Sequence, residues 1–221
     1  MNISEAMRER HSVRRYKNQP INAETISALQ TEIDVCNRES GLHIQLVTNE
    51  PKAFDSFMAH YGKFSGVTNY IALIGEKDSA LDEKCGYFGE RLVLKAQEIG
   101  LNTCWVAMTY SKIKTAFTVG QNEKLCVVIA LGYGETQGVP HKSKTISEAA
   151  KVEGNMPDWF KNGMEAALLA PTAMNQQKFL FTLNGNKVSV KAGRGFYTKL
   201  DLGIVKYHFE VGAGKENFEW A

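Results

Sequence analysis

The chain has 221 residues, of which 26 are basic and 24 acidic, giving a formal charge of +2, and 43% are hydrophobic. This is enough apolar material for one globular domain or two small halves sharing a core, and it excludes a disordered or fibrous chain. The near-balance of charge leaves no global field to recruit nucleic acid or an anionic membrane, so any anion site must be local.

A short helix is expected around Ile3 to Arg10, followed by a basic turn from Arg8 to Lys17 and punctuation at Pro20 and Asn22. Asn22 caps a helix to about Arg38. A strand follows near Leu42 to Val47, then a short helix carrying Phe54, Phe57 and Met58, then a buried strand from Tyr70 to Ile74. From Leu81 to Ile99 the apolar positions Leu81, Cys85, Phe88, Leu92, Ala96 and Ile99 fall at helical spacing, with Gly100 as the stop. Cys104 to Met108 and Leu125 to Leu131 read as central strands. Gly132, Gly134 and Gly138 open a loop to about Thr145, the expected crossover between two halves, about 1–140 and about 150–221. In the second half Pro157 starts a helix to about Leu169. A loop Ala170 to Gln177 follows, then a hairpin of Phe179 to Leu183 and Val188 to Val190 around Asn184-Gly185, and a helix over Leu202 to Ala213. The halves echo one another weakly: Phe88-Gly89 precedes Gly100 and Trp105 much as Leu202-Gly203 precedes Gly214 and Trp220.

Two segments carry chemistry. In Arg10-His11-Ser12-Val13-Arg14-Arg15-Tyr16 the alternation of Arg10, Ser12 and Arg14 turns them one way in an extended stretch. Guanidinium forks and a hydroxyl match the oxygens of a phosphate; a solvated basic surface, or a patch touching lipid or RNA, is the alternative. In Ala170-Pro171-Thr172-Ala173-Met174-Asn175-Gln176-Gln177 small residues let the backbone approach a flat ring, and Thr172, Asn175 and Gln177 supply polar groups. Alone, this loop also reads as a helix end stopped by proline.

Together these segments resemble the nitroreductase family of FMN enzymes. Arg10, Ser12, Arg14 and Tyr16 match its Arg-x-Ser-x-Arg-x-aromatic opening, and Ala170, Pro171, Thr172, Asn175 and Gln177 match its Ala-Pro-Ser-x-x-Asn-x-Gln-Pro loop, with Thr for Ser and Lys178 for the final Pro. Ala96 to Leu101 with Cys104-Trp105-Val106, and Leu131-Gly132-Tyr133-Gly134, resemble further family segments, so the similarity touches most of the chain. The order departs from the family: the Pro-Ser-x-x-Asn loop, which ordinarily follows the arginines closely, comes only at Pro171, and Asn37 to Gly41 occupy its usual place without matching it.

The resemblance implies an α+β, nitroreductase-like fold, a mostly antiparallel sheet flanked by helices, with pseudo-twofold related halves in one chain. It implies FMN, held at its phosphate by Arg10, His11, Ser12 and Arg14 with Lys142 or Lys144 adding charge, bordered by Pro171, Thr172, Ala173, Asn175 and Gln177, and met at its N5 edge by Met108 and Thr109. NAD(P)H is the implied transient reductant, and a nitroaromatic, quinone or similar small molecule the acceptor. With the chemistry on flavin N5, no protein residue is catalytic. A non-catalytic flavin-binding carrier or sensor is the alternative. A monomeric pseudo-dimer or weak homodimer is expected, without nucleic acid or membrane partners.

Cys36, Cys85, Cys104 and Cys126 show neither zinc-site pairing nor the density of a disulfide scaffold, and His11, His43, His60, His141 and His208 have no ligand spacing, so no metal is expected. Cys104, in an apolar strand, reads as a small packing residue. No signal peptide and no run of ~20 apolar residues is present, and the expected location is the cytoplasm.

Overall fold

The computed structural model describes residues 1–221. It divides into two compact units, one of Met1–Leu81 and Arg91–Pro140, the other of Asp82–Glu90 and His141–Ala221. The division near residue 140 follows the glycine-rich crossover. The assignment of Asp82–Glu90 to the second unit differs from the sequence reading, which gives the whole helix to the first half.

In the first unit, α1 (Ile3–Glu9) starts at a capping box between Asn2 and Glu5. Helix α2 (Ala23–Ser40) starts at the expected Asn22, whose Oδ1 accepts from the Thr25 N–H at 2.8 Å, and ends at Gly41. The expected strand over Leu42 to Val47 shortens to β1 (Gln45–Val47). Asn37 causes this: its Nδ2 donates to the Ile44 carbonyl and its Oδ1 accepts from the Ile44 N–H, at 2.9 and 2.7 Å, replacing strand partners. After α3 (Phe57–Tyr61) come β2 (Asn69–Glu76), α4 (Leu81–Glu98), β3 (Asn102–Val106) and β4 (Glu123–Gly132). Strand β3 begins two residues before the expected Cys104. The sheet is antiparallel throughout, in the order β1-β2-β4-β3. Seven of the eight β2 residues are buried, as an interior strand requires. Phe54, Phe64, Tyr70, Tyr110 and Phe117 pack with Val13 and Tyr16 in its core.

The second unit contains α5 (Ile146–Ala149), β5 (Ala150–Val152), α6 (Asp158–Ala167), β6 (Phe179–Asn184), β7 (Lys187–Ala192), α7 (Thr198–Ala213) and β8 (Glu219–Trp220). Its sheet, β5-β6-β7-β8, keeps the expected β6–β7 hairpin and adds parallel edge strands on either side, so it is mixed. Pairing of Asn184 with Lys187 makes Gly185 and Asn186 the turn, one residue beyond the expected centre. Phe209 of α7 stacks on Phe181 at 4.7 Å between ring centroids and meets Phe160 and Phe218 edge-on. Two residues of α4 bond to α7: the Tyr87 hydroxyl donates to Glu210 at 2.6 Å, and His208 Nε2 lies 2.8 Å from Glu90.

The α4–α7 crossing depends on two glycines. A Cβ on Gly203 would lie 2.0 Å from the Glu83 carbonyl oxygen, and one on Gly86 would lie 2.0 Å from that of Leu200. Both obstacles are backbone. We expect Gly203→Ala to destabilise the protein by about 1–3 kcal/mol in denaturant unfolding, although helix propensity alone favours alanine by about 1 kcal/mol. A stabilised variant would show that the two helices separate readily.

Candidate functional site

In the first unit, the basic segment after α1 is fixed almost residue by residue. The Val13 N–H donates to the Thr103 carbonyl of β3, and Ser12 bridges Thr103 in parallel, so the segment extends the sheet at its β3 edge. The Tyr16 N–H donates to Ser65, the Ser65 N–H to Arg14, the Lys17 N–H to Tyr133 and the Glu135 N–H to Arg15. Val13 and Tyr16 are buried anchors, and the Tyr16 hydroxyl donates to the Ala130 carbonyl at 3.4 Å. Desolvation holds that phenol well above its ordinary range, so it stays a donor. The Leu131-Gly132-Tyr133-Gly134 turn serves the same anchor: a Cβ on Gly134 would sit 2.7 Å from Asn102 Oδ1 and 2.9 Å from Val13 Cγ1.

Simple alternation is modified here. Arg10 is 4% exposed, whereas Ser12 and Arg14 lie open to solvent. Ser12 hydrogen-bonds to the Cys104 thiol, and the positive charges of Arg14 and Arg10 are both felt there. Burial pushes that thiol up, while the Arg14 charge, a hydrogen bond with Ser12 and the Arg10 charge oppose the shift. The thiol therefore remains protonated at neutral pH and packs as the sequence suggests, within the field of both arginines. Arg14 further lies over the Phe64 ring, 6.0 Å from its centroid. His11 is half-buried, and a Cβ on Gly138 would come within 2.7 Å of its own Cβ, so the crossover runs tightly past this residue. Met108, beyond β3, is 69% exposed, and Thr109 packs where a Cβ on Gly62 would fall.

In the second unit, the loop Ala170 to Gln177 is knitted to residues 142–144. Asn175 Nδ2 and Gln177 Nε2 both donate to the Lys142 carbonyl, at 2.9 and 2.8 Å. Gln177 Nε2 also donates to Asn175 Oδ1, and Gln177 Oε1 accepts from the Lys144 N–H. Lys144 Nζ donates to the Gln177 carbonyl at 2.7 Å, and Thr172 Oγ1 accepts from the Gln177 N–H at 3.0 Å. Gln177 is 4% exposed with both amide hydrogens engaged. This amide braces the loop from inside. Lys142 keeps an exposed side chain, Pro171, Thr172 and Ala173 are half-buried, and Met174 is 83% exposed. Positive φ values at Met174, Asn175 and Gln177 show a backbone held against its preferences by these bonds.

Sequence reasoning misses Asp201. This buried residue on α7 accepts from the Ala173 N–H at 2.9 Å and from Gln176 Nε2 at 2.7 Å, fixing the loop from the other side. Desolvation pushes its carboxyl up to about 6, against the Ala173 and Gln176 hydrogen bonds. A carboxyl raised on folding holds its proton better in the folded state, so its contribution is full below about pH 4 and is lost as pH rises through about 6. Denaturant unfolding is therefore expected to show Asp201→Asn flattening a fall in stability between those limits, on the order of 3 kcal/mol in the unsubstituted protein. Equal slopes in both proteins would contradict the assignment.

A family model described as "Putative TM nitroreductase" matches residues 2–213. The chain belongs to the nitroreductase family. Membership places it among oxidoreductases that act on small molecules. Among solved structures, the nitroreductase fold recurs in a "putative nitroreductase" from Thermotoga maritima, 24% identical, with a TM-score of 0.66 over 98% of this chain and 85% of that one. A "Putative NADH dehydrogenase/NAD(P)H nitroreductase" from Parabacteroides distasonis is 22% identical, with a TM-score of 0.53 over 67% of this chain and 96% of that one. A nitroreductase family protein from Streptococcus pneumoniae is 14% identical, with a TM-score of 0.54 over 66% and 98%. None of the curated proteins matches the sequence. The expected α+β nitroreductase-like fold is thus the observed one. No helix of this nitroreductase is long and apolar enough to cross a membrane.

Proposed function

We propose that this nitroreductase binds FMN and works as an NAD(P)H-driven two-electron reductase of a small acceptor such as a nitroaromatic or quinone. The observation that carries the reading is the Arg10–Arg14 segment held along the β3 edge of the first sheet by the Val13–Thr103 hydrogen bond and the Ser12–Thr103 bridge, with Ser12 and Arg14 open to solvent. The chemistry of that donor set suits a phosphate monoester: two guanidiniums and a hydroxyl offer directed donors and two positive charges to a dianion. Bound FMN supplies the two-electron transfer itself.

The chain's own residues bind and orient. Arg14, exposed and steadied over Phe64, is assigned to the phosphate, and buried Arg10 adds a second positive charge in the same segment. The loop Pro171–Asn175, stiffened by Gln177 and Asp201, offers a preformed rim of small residues and backbone to a flat ring. Met108 and Thr109 are assigned to its reactive edge. No side chain is required to act as acid, base or nucleophile.

Anaerobic titration of the FMN-loaded protein with NADH and NADPH, followed by a quinone, tests this function. Bleaching of the flavin absorbance by a nicotinamide and its return on adding the quinone are expected. Retention of FMN without bleaching would make the chain a flavin carrier or sensor instead.

A further inference from the structure

Beyond the loop Ala170 to Gln177, the second unit carries a groove of about 440 Å³, a volume typical of small-molecule sites. Its cations are Lys178, Lys191 and Arg194, and no acidic side chain is among its lining residues. Its apolar floor comes from Phe179, Leu180 and Ala192. The register of the β6–β7 hairpin explains this composition. Leu180 pairs with Lys191 and projects with it on one face, while Phe179, paired with Ala192, turns its ring inward and is 5% exposed.

The groove is built rather than incidental. The Gly193 N–H donates to the Lys178 carbonyl at 2.8 Å, extending the hairpin by one rung, and Lys178 Nζ donates to the Arg194 carbonyl at 2.9 Å. Gln176 Nε2 holds the Phe196 carbonyl at 2.7 Å and also bonds to Asp201, so residues 194–196 are tied to the loop assigned to the flavin. Lys178 is also the position at which the sequence departs from the family loop, placing a cation where a proline is usual.

We propose that this groove receives the adenosine end of NADPH, with the purine against the Leu180 side chain and the 2′-phosphate among Lys178, Lys191 and Arg194. The proposal rests on the FMN reductase reading, which requires a dinucleotide to present its nicotinamide at the flavin while the remainder of that long molecule lies elsewhere on the protein. Three cations without an acid favour the more highly charged dinucleotide. NADH shares the purine and the pyrophosphate but lacks the 2′-phosphate. The groove thus confers preference for NADPH.

The test separates the groove from the reaction. Calorimetric titration of the FMN-loaded protein at low salt is expected to show 2′,5′-ADP binding about tenfold or more tighter than 5′-AMP, with the gap shrinking in 0.5 M salt, on the order of what charge-assisted contacts supply. In Lys191→Ala and Arg194→Ala the gap should close to about threefold or less, and the ratio of kcat/KM for NADPH to that for NADH should fall about tenfold. Both residues are exposed, so these variants are expected to fold. Equal binding of the two nucleotides, or an unchanged kcat/KM ratio in both variants, overturns the groove assignment even if NADH bleaches the flavin. Failure of both nicotinamides to reduce the bound flavin overturns the reductase reading, and the groove proposal with it.

Discussion

Replacing Arg14 with alanine is expected to weaken FMN binding by about 10- to 100-fold, the equivalent of one or two charge-assisted hydrogen bonds to a phosphate. The residue suits the test because its side chain is exposed while its carbonyl accepts from Ser65, so the substitution removes a charge without opening the core or cutting the strap from the sheet. Arg14→Lys should recover only part of the loss, because an ammonium supplies charge without the planar fork. Arg10→Ala is a poorer probe, since Arg10 is 4% exposed and its loss disturbs packing as well as charge. Equilibrium dialysis of FMN, with circular dichroism to verify the fold, measures the effect. Unchanged retention in Arg14→Ala would remove Arg14 from the phosphate site.

Glu90→Ala should cost about 3–5 kcal/mol of stability. Glu90 and His208 are both fully buried, with Glu90 Oε1 2.8 Å from His208 Nε2. The other ring nitrogen, Nδ1, lies 3.0 Å from the Ala166 carbonyl, which can only accept, so Nδ1 carries a hydrogen. Nε2 and the carboxyl then form a hydrogen bond wholly inside the second unit. Truncating Glu90 strands the imidazole in an apolar interior and leaves a cavity. Thermal and denaturant unfolding provide the measurement, and a loss under about 1 kcal/mol would show that the interior repacks or admits water around His208.

The parts of the fold that could be read from the sequence are those in which local signals agree with packing. Asn22 starts α2, the apolar spacing from Leu81 places α4, and Gly185 turns the β6–β7 hairpin. Where a distant partner decides, the sequence is silent. Strands β5 and β8 are three and two residues long and exist only because parallel neighbours pair with them. The start of α7 at Thr198, four residues before the expected Leu202, follows an αL residue, Tyr197, that no pattern announces. The site shows the same split. The arginine segment is recognisable because its residue types and spacing carry the chemistry, but the burial of Arg10 depends on the sheet edge it joins. Gln177 and Asp201 look like ordinary polar residues; only the loop geometry reveals that one braces it from within and the other fixes Ala173 and Gln176 from α7.

The most direct measurement compares FMN with riboflavin, which lacks the phosphate, by calorimetric titration of the apoprotein and of Arg14→Ala. The account predicts one FMN per chain, a preference of about 100-fold or more for FMN over riboflavin in the unsubstituted protein, and collapse of that preference in the variant. Riboflavin binding as tightly as FMN, or a preference that survives the loss of Arg14, would contradict it.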